Sequence, residues 1–292
     1  MEELRIKIIG VPFSYGQEIK GVEKAYDYLF DNHLLNIGNC TKLLYVDKSP
    51  KEYTKNNIHY YNEVLAVNNL LSVKVMETLN NQEFPIVIGG DHAVSIGSIS
   101  AVSNYYGVDN LSVVYLDAHL DIHLPTTSVS KNAHGMPLRF LLGEGPTELT
   151  TILNDQPKIK AENLLYLGTR DYEGAEFDYV MENHIKYLKA GDFYQEDFQE
   201  KLVALLDSIN TPYVHISIDI DFLDKDIFRA TDVPSSFPGP NIEHLYRVLE
   251  QLFLKHQVVA IDLVEYNPDL NKENDTVIVK DLIEYLIKKL TT

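Results

Sequence analysis

Tryptophan is absent from this 292-residue chain and cysteine occurs once, as Cys40. A single thiol cannot close an intramolecular disulfide, so no covalent staple holds the fold, and so little cysteine suits a reducing compartment. Positive charge is scarce as well: 25 Lys and Arg against 43 Asp and Glu leave a formal net charge of -18. That balance opposes nucleic acid and anionic membranes as partners, because both need positive surface. It suits a small cationic ligand. Long apolar runs are missing: the run over residues 6–11 is broken by Lys7 and is too short to span a bilayer. The opening Met1-Glu2-Glu3-Leu4 lacks the basic region of a signal peptide. A soluble cytoplasmic protein is the expectation. No Pro/Gly/Ser-rich linker, charge block, low-complexity tract or internal repeat divides the chain. With 45% hydrophobic content, enough for a large core, residues 1–292 are expected to form one domain.

What the chain does contain is an alternation of short apolar runs with amphipathic ones. Strands are predicted over residues 4–11, 43–47, 84–88, 111–115, 164–167, 185–188, 213–218 and 258–263. Between them, helical spacing is found over residues 21–35, 60–79 and 94–102, and around Leu245, Val248, Leu249 and Leu252. A last helix is expected over residues 276–290, with Asp275 as its N-cap. This alternation predicts an α/β fold with a mostly parallel sheet. An open sheet and a closed barrel both satisfy it, and either forms its sites at the carboxyl ends of the strands.

The chemistry is concentrated at those ends. The strand over 111–115 runs into Asp117-Ala118-His119-Leu120-Asp121. If extended geometry continues, Asp117, His119 and Asp121 project to one side. Crowding such groups without a counter-charge is costly, and a divalent cation removes the cost. The plainer alternative is a solvated acidic loop. Three other strand ends argue against it: Gly89-Gly90-Asp91-His92, Ser217-Ile218-Asp219-Ile220-Asp221, and Glu265. Four carboxylates, Asp117, Asp121, Asp219 and Asp221, match two divalent cations in charge. Together with the imidazoles of His92 and His119 they suit manganese, zinc or iron, and the excess of carboxylate favours manganese. A metal pair of this kind activates water and orients its target.

These motifs, with Gly10-Val11-Pro12-Phe13-Ser14 near the start and Asn132-Ala133-His134-Gly135-Met136-Pro137 in the middle, resemble the ureohydrolase superfamily, its arginase branch more than its agmatinase branch. The resemblance runs in order from about residue 6 to 290. It implies a three-layer α/β/α fold with an eight-stranded, mostly parallel sheet, which selects the open sheet over the barrel. It also implies two Mn2+, one on His92 and Asp121, the other on His119 and Asp221, with Asp117 and Asp219 bridging. By the same resemblance a hydroxide between the metals attacks the guanidinium carbon. Asp121 orients it and passes on a proton, His134 shuttles protons, and Glu265 holds the guanidinium. The products are then urea and an amine, L-ornithine if the substrate is L-arginine. Family members are often trimers or hexamers, so a homo-oligomer is expected.

Departures from the family pattern fall at the substrate's far end. His123 stands where arginases usually carry the Asn that helps bind the α-carboxylate, and Glu173 stands where they carry an Asp contacting the α-ammonium. Ser130, Asn132 and Glu176 match family residues of the same recognition region, whereas Val233 lacks a hydroxyl found there. Agmatine or a guanidino acid is therefore the alternative substrate, and a non-catalytic metal-binding homologue the alternative role. His215 and His244 are expected to be structural, as is His123 by default, and Asp91 is expected to support His92 or its turn.

Overall fold

The β-branched and aromatic runs form eight strands, β1 (Arg5–Gly10), β2 (Cys40–Lys42), β3 (Glu83–Ile88), β4 (Leu111–Leu116), β5 (Leu164–Thr169), β6 (Lys186–Lys189), β7 (Tyr213–Asp219) and β8 (Gln257–Val264). All pair in parallel, in the order β2-β1-β3-β8-β7-β4-β5-β6. The sheet is thus open, with β2 and β6 at its edges. The computed structural model describes residues 4–17, 19–35, 39–43, 54–272 and 274–291. Nine α-helices lie among them: α1 (Ala25–Asp31), α2 (Tyr61–Asn80), α3 (Ser95–Tyr106), α4 (Pro137–Leu141), α5 (Thr147–Thr150), α6 (Gly174–Glu182), α7 (Phe198–Asp207), α8 (Ile242–Lys255) and α9 (Asp275–Thr291).

Strand side chains alternate between two helical layers, as a period of two requires. Ile6 and Ile8 of β1 and Val114 and Leu116 of β4 pack with Leu29 (α1), Leu202 (α7), Leu249 (α8) and Leu282 (α9). Ile9 of β1 packs on the opposite face, with Val64 and Val67 (α2) and Ile96 (α3). On that face too, Val113 and Tyr115 of β4 pack with Ile99 (α3), Leu138 (α4) and Val180 (α6). A parallel sheet covered on both sides explains why the strands read as unbroken apolar runs. No helix among the described residues is long and apolar enough to cross a membrane.

Three local expectations shift. The second strand is Cys40–Lys42, pairing Ile8 to Gly10 of β1; Leu43 lies just beyond it, and residues 44–47 of the expected strand are outside the described residues. The first helix stops at Asp31, short of residue 35, because His33 takes a left-handed φ of 56° and Leu34 N–H turns back to the Leu29 carbonyl at 2.9 Å. Asp275 is the first residue of α9, and its carboxylate accepts the N–H groups of Lys272 (2.9 Å) and Arg229 (3.3 Å), tying two loops to the helix.

Helix α3 lies beneath the site and is buried from Ser95 to Ser103. It packs on α2 at Gly97, whose N–H, without a partner in its own first turn, donates to Asn68 Oδ1 at 2.6 Å. A Cβ on Gly97 would stand 2.5 Å from the Asn68 carbonyl oxygen and 3.0 Å from its Cα. These are backbone atoms that cannot swing aside. Glycine to alanine in an exposed helix gains roughly 1 kcal/mol. Here Gly97→Ala should instead lose about 1–3 kcal/mol, read as a lower urea midpoint at unchanged m-value.

Candidate functional site

Strands β3, β8, β7 and β4 are neighbours and parallel, so their carboxyl ends open on one edge of the sheet. Each hands over to a turn that aims a side chain. After β3, Gly89 (φ 88°) and Gly90 (φ 84°) take left-handed conformations open to glycine without strain. Asp91 follows; its carboxylate accepts Ala93 N–H (3.1 Å), capping the short turn His92–Val94, and Gly16 N–H (2.7 Å). His92 is thereby held fully buried. After β8, Glu265 takes φ 62° and its Oε1 accepts His92 N–H at 2.8 Å.

The other two ends use one device twice. Asp117 accepts the N–H of His119 (2.7 Å), and Asp219 accepts the N–H of Asp221 (2.8 Å). In each, a carboxylate binds the backbone two residues on, which bends the chain into a turn. The expected continuation of extended strand is therefore not what gathers these groups. β4 ends at Leu116, Asp121 sits at φ 49°, and Asp221 lies in the 3-10 turn Ile220–Phe222. The turns converge nonetheless: Asp221 Oδ1 accepts Ala118 N–H from the neighbouring strand end at 3.1 Å.

His92 Nδ1 lies 3.0 Å from Asp117 Oδ2, 3.2 Å from Asp219 Oδ2 and 3.3 Å from Asp121 Oδ2. His119 Nδ1 lies 3.0 Å from Asp221 Oδ2 and 3.5 Å from Asp117 Oδ1. Two groups here could hold a metal ion, His92–Asp117–Asp121 and Asp117–His119–Asp221, with Asp117 in both. Asp219 belongs to neither but touches the first through His92.

Electrostatics express the crowding. Burial, then the charge of Asp117, pushes Asp121 well above the usual carboxylate range; burial, then Asp221 and Asp117, does the same to Asp219. Burial opposes charge on the two imidazoles, yet the surrounding carboxylates outweigh it and raise both well above the ordinary histidine value. Burial also works against ionised Asp117, and hydrogen bonds with His119 and His92 overcome it, so Asp117 is lowered. Glu265 Oε2 is buried without a hydrogen-bond partner, and Asp117 Oδ2 is approached only by the His92 imidazole, at 3.0 Å. Buried carboxylate oxygens so poorly supplied with donors are a setting a divalent cation fits.

Above these groups lies a cavity of about 210 Å³, lined at its base by His119, Asp121, Asp219, Asp221 and Glu265 and on one side by His134. His134 sits in the turn Ala133–Gly135, its N–H on the Gly16 carbonyl (3.1 Å) and its Nδ1 3.5 Å from Glu265 Oε1. At the far end, His123 Nδ1 faces Thr127 Oγ1 (3.1 Å), and its Nε2 lies 3.3 Å from Glu176 and 3.7 Å from Glu173. Burial lowers His123 and these two acids outweigh it, so the ring holds its proton more firmly than usual. Glu176 is also a brace, accepting the N–H groups of Ile122 (3.2 Å) and Glu173 (3.0 Å). Thr231 and Val233 complete that wall.

Ser130 and Asn132 are not among the cavity-lining residues. Ser130 is exposed and accepts Asn132 N–H (3.2 Å) within its own loop, while the Asn132 amide donates to the Gln17 carbonyl (3.2 Å) and ties that loop to the first one. His215 is buried against Asp262 at 2.9 Å, and His244 lies in the first turn of α8 beside Phe193 and Phe198, both away from the cavity. Two neighbours of the cluster carried no expectation: Ser217, whose Oγ is 2.8 Å from His92 Nε2, and Tyr115, whose hydroxyl donates to Asp121 Oδ2 at 2.8 Å. A signal for both existed. Each lies two residues before a candidate ligand on its strand, so alternation puts it on the ligand's face.

Loading a divalent cation requires these imidazoles and carboxylates to be deprotonated. Because the shifts in His92, His119, Asp121 and Asp219 all favour the protonated form, adding Mn2+ to metal-free protein near neutral pH should release protons. The apparent affinity should rise with pH. Titration in weak buffer with a pH electrode reads the release directly, and proton uptake or no change would contradict it.

The profile of the Arginase family matches residues 4–287. Arginase of Staphylococcus aureus (strain MRSA252) is 34% identical over 292 residues, covering 93% of this chain and 92% of that protein. Two solved structures share the fold. The arginase of Bacillus subtilis superposes with a TM-score of 0.86 at 29% identity, covering 99% of this chain and 98% of that one. The Entamoeba histolytica arginase in complex with L-ornithine gives 0.86 at 27%, covering 98% and 99%. Sequence and fold agree along almost the full length, and the chain belongs to the arginase family of hydrolases.

Proposed function

We propose that the protein is a manganese-dependent amidinohydrolase that cleaves a guanidino compound, L-arginine first among them, to urea and an amine, here L-ornithine. The observation that carries this is Asp117, shared by two metal-capable groups at the base of a cavity that also holds His134 and Glu265. His92 and Asp121 would hold one cation and His119 and Asp221 the other, with Asp117 and Asp219 between them; the carboxylate-rich donor set suits manganese. Bound there, the metal pair supplies a water acidic enough to act as nucleophile at neutral pH.

The remaining work falls to side chains. Glu265 Oε2, buried without a partner, accepts guanidinium N–H groups in charge-assisted hydrogen bonds, which fixes the guanidinium carbon above the carboxylate cluster. Hydrolysis delivers oxygen to that carbon and protons to the departing nitrogen. Asp121, at the cavity base, takes the proton released by water and hands it to the leaving amine. His134 is one-fifth exposed and 3.5 Å from Glu265, so it links the cavity to solvent and exchanges protons between them. At the mouth, the half-exposed carboxylate of Glu173 suits an ammonium group. One observation favours a second substrate, agmatine, which lacks the α-carboxylate: both His123 nitrogens already face Thr127 and the two glutamates.

Urea release by manganese-loaded protein, measured over a wide pH range with arginine, agmatine, guanidinobutyrate and guanidinopropionate, tests the reading. Arginine is expected to turn over fastest, and silence across the panel with two metals bound would refute the assignment. Glu265→Gln should lower kcat/KM by about 100-fold or more. His134→Asn should lower kcat with KM little changed, since its part is proton transfer and not binding.

A further inference from the structure

We propose that Tyr115 is the positioning residue of this centre, its hydroxyl setting the orientation of the Asp121 carboxylate and its ring setting the plane of the His92 imidazole. The inference rests on the reading of these two side chains as metal ligands.

Tyr115 is fully buried on β4, two residues before Asp117 and hence on the same face of the strand. Its hydroxyl donates to Asp121 Oδ2 at 2.8 Å. Its ring stacks on His92, with centroids 4.3 Å apart and planes 8° from parallel. His92, Asp117 and Asp121 together form one of the two metal-capable groups, so this tyrosine touches two of its three members and is two residues from the third. Tyr115 is itself held: Tyr166 meets its ring edge-on at 5.8 Å, and the Tyr166 hydroxyl donates to the Leu120 carbonyl at 2.7 Å, fixing the residue before Asp121.

A carboxylate turns easily about its terminal torsion, which is broad in aspartate. Nothing in the left-handed backbone of Asp121 sets that torsion. A hydroxyl carried on a rigid, buried ring does, and it engages one oxygen of the pair. The stack against His92 fixes the plane of its ring, and Ser217 Oγ, 2.8 Å from Nε2, sets which nitrogen faces the carboxylates. A phenylalanine would fill the same space and keep the stack, but would leave the carboxylate free to turn. The choice of tyrosine therefore separates geometry from packing.

Tyr115→Phe in the full-length protein tests this. The readout is Mn2+ affinity, measured by competition with a chelator in the absence of substrate. One of the two cations should bind about tenfold or more weakly, as for loss of an outer partner to a ligand. The visible spectrum of cobalt-loaded protein, which reports ligand geometry, should shift, and kcat should fall with KM within about twofold of its original value. Tyr61→Phe is the control, because Tyr61 is also fully buried and its hydroxyl bonds Glu148, at 2.8 Å, and not a residue of the metal-capable groups. It should lower thermal stability and leave metal affinity unchanged. The proposal is overturned if Tyr115→Phe binds both cations as tightly as the parent with an unchanged cobalt spectrum, or if Tyr61→Phe weakens metal binding equally. Affinity and spectrum need no turnover, so they decide the role of Tyr115 even in a protein that hydrolyses no guanidino compound.

Discussion

Three aspartates and two histidines crowd around Asp117 in a space nearly closed to water, and the rest of the architecture answers to that crowding. Asp117, Asp121, Asp219 and Asp221 are all buried, within about one contact of His92 or His119. Removing such charges from water costs several kcal/mol each, so they persist only when matched. Without a cation, protons do the matching: the imidazoles and three of the four aspartates, Asp121, Asp219 and Asp221, are pushed toward their protonated forms while Asp117 is held ionised. A divalent cation does it better, because one ion satisfies several oxygens at once. The backbone bends to keep the cluster in place. Asp121 and Glu265 both hold positive φ, a conformation costing about 1–3 kcal/mol in a residue with a side chain, tolerated where the surroundings over-determine it.

What over-determines it is the parallel sheet and its two helical layers. Four neighbouring strand ends share one edge, and each is clamped to another by a bond from side chain to backbone. Glu265 holds His92, Asp221 holds Ala118, and Asp91 holds Gly16, whose carbonyl in turn holds His134. The first loop of the chain thus reaches the same edge as the last strand. No single segment owns the centre, so disturbing one clamp would move ligands that lie far away in sequence.

Much of this was legible before any fold was known. The alternation of strand and helix predicted α/β, and the acid- and histidine-bearing strand ends pointed to the residues that the fold brings together. The reasoning behind the spacing was less sound than its outcome. Extended geometry was expected to align Asp117, His119 and Asp121, yet the strand ends at Leu116 and a carboxylate-to-backbone turn does the gathering. Ser130 and Asn132 match by pattern but lie off the cavity, because a polar loop side chain bonds available backbone as readily as a ligand: Ser130 takes the Asn132 N–H, and Asn132 the Gln17 carbonyl. Tyr115 stands in an apolar run that marks it only as strand, and its partner across the turn reveals a second role.

The sequence by itself determined the α/β class and the chemical identity of the groups at the strand ends, because both follow from local periodicity and residue type, while its family resemblance implied the open, three-layer sheet. Tertiary structure alone decided that β8 and β7 stand between β3 and β4, and that His92 meets Asp219 across 127 residues. Strand order is set by how the helices pack over the two faces, a non-local condition that leaves no periodic trace in the chain. The bridging place of Asp117 was implied by family resemblance, and the side-by-side strand ends supply its geometry, with Asp117 in both metal-capable groups and Asp219 in neither.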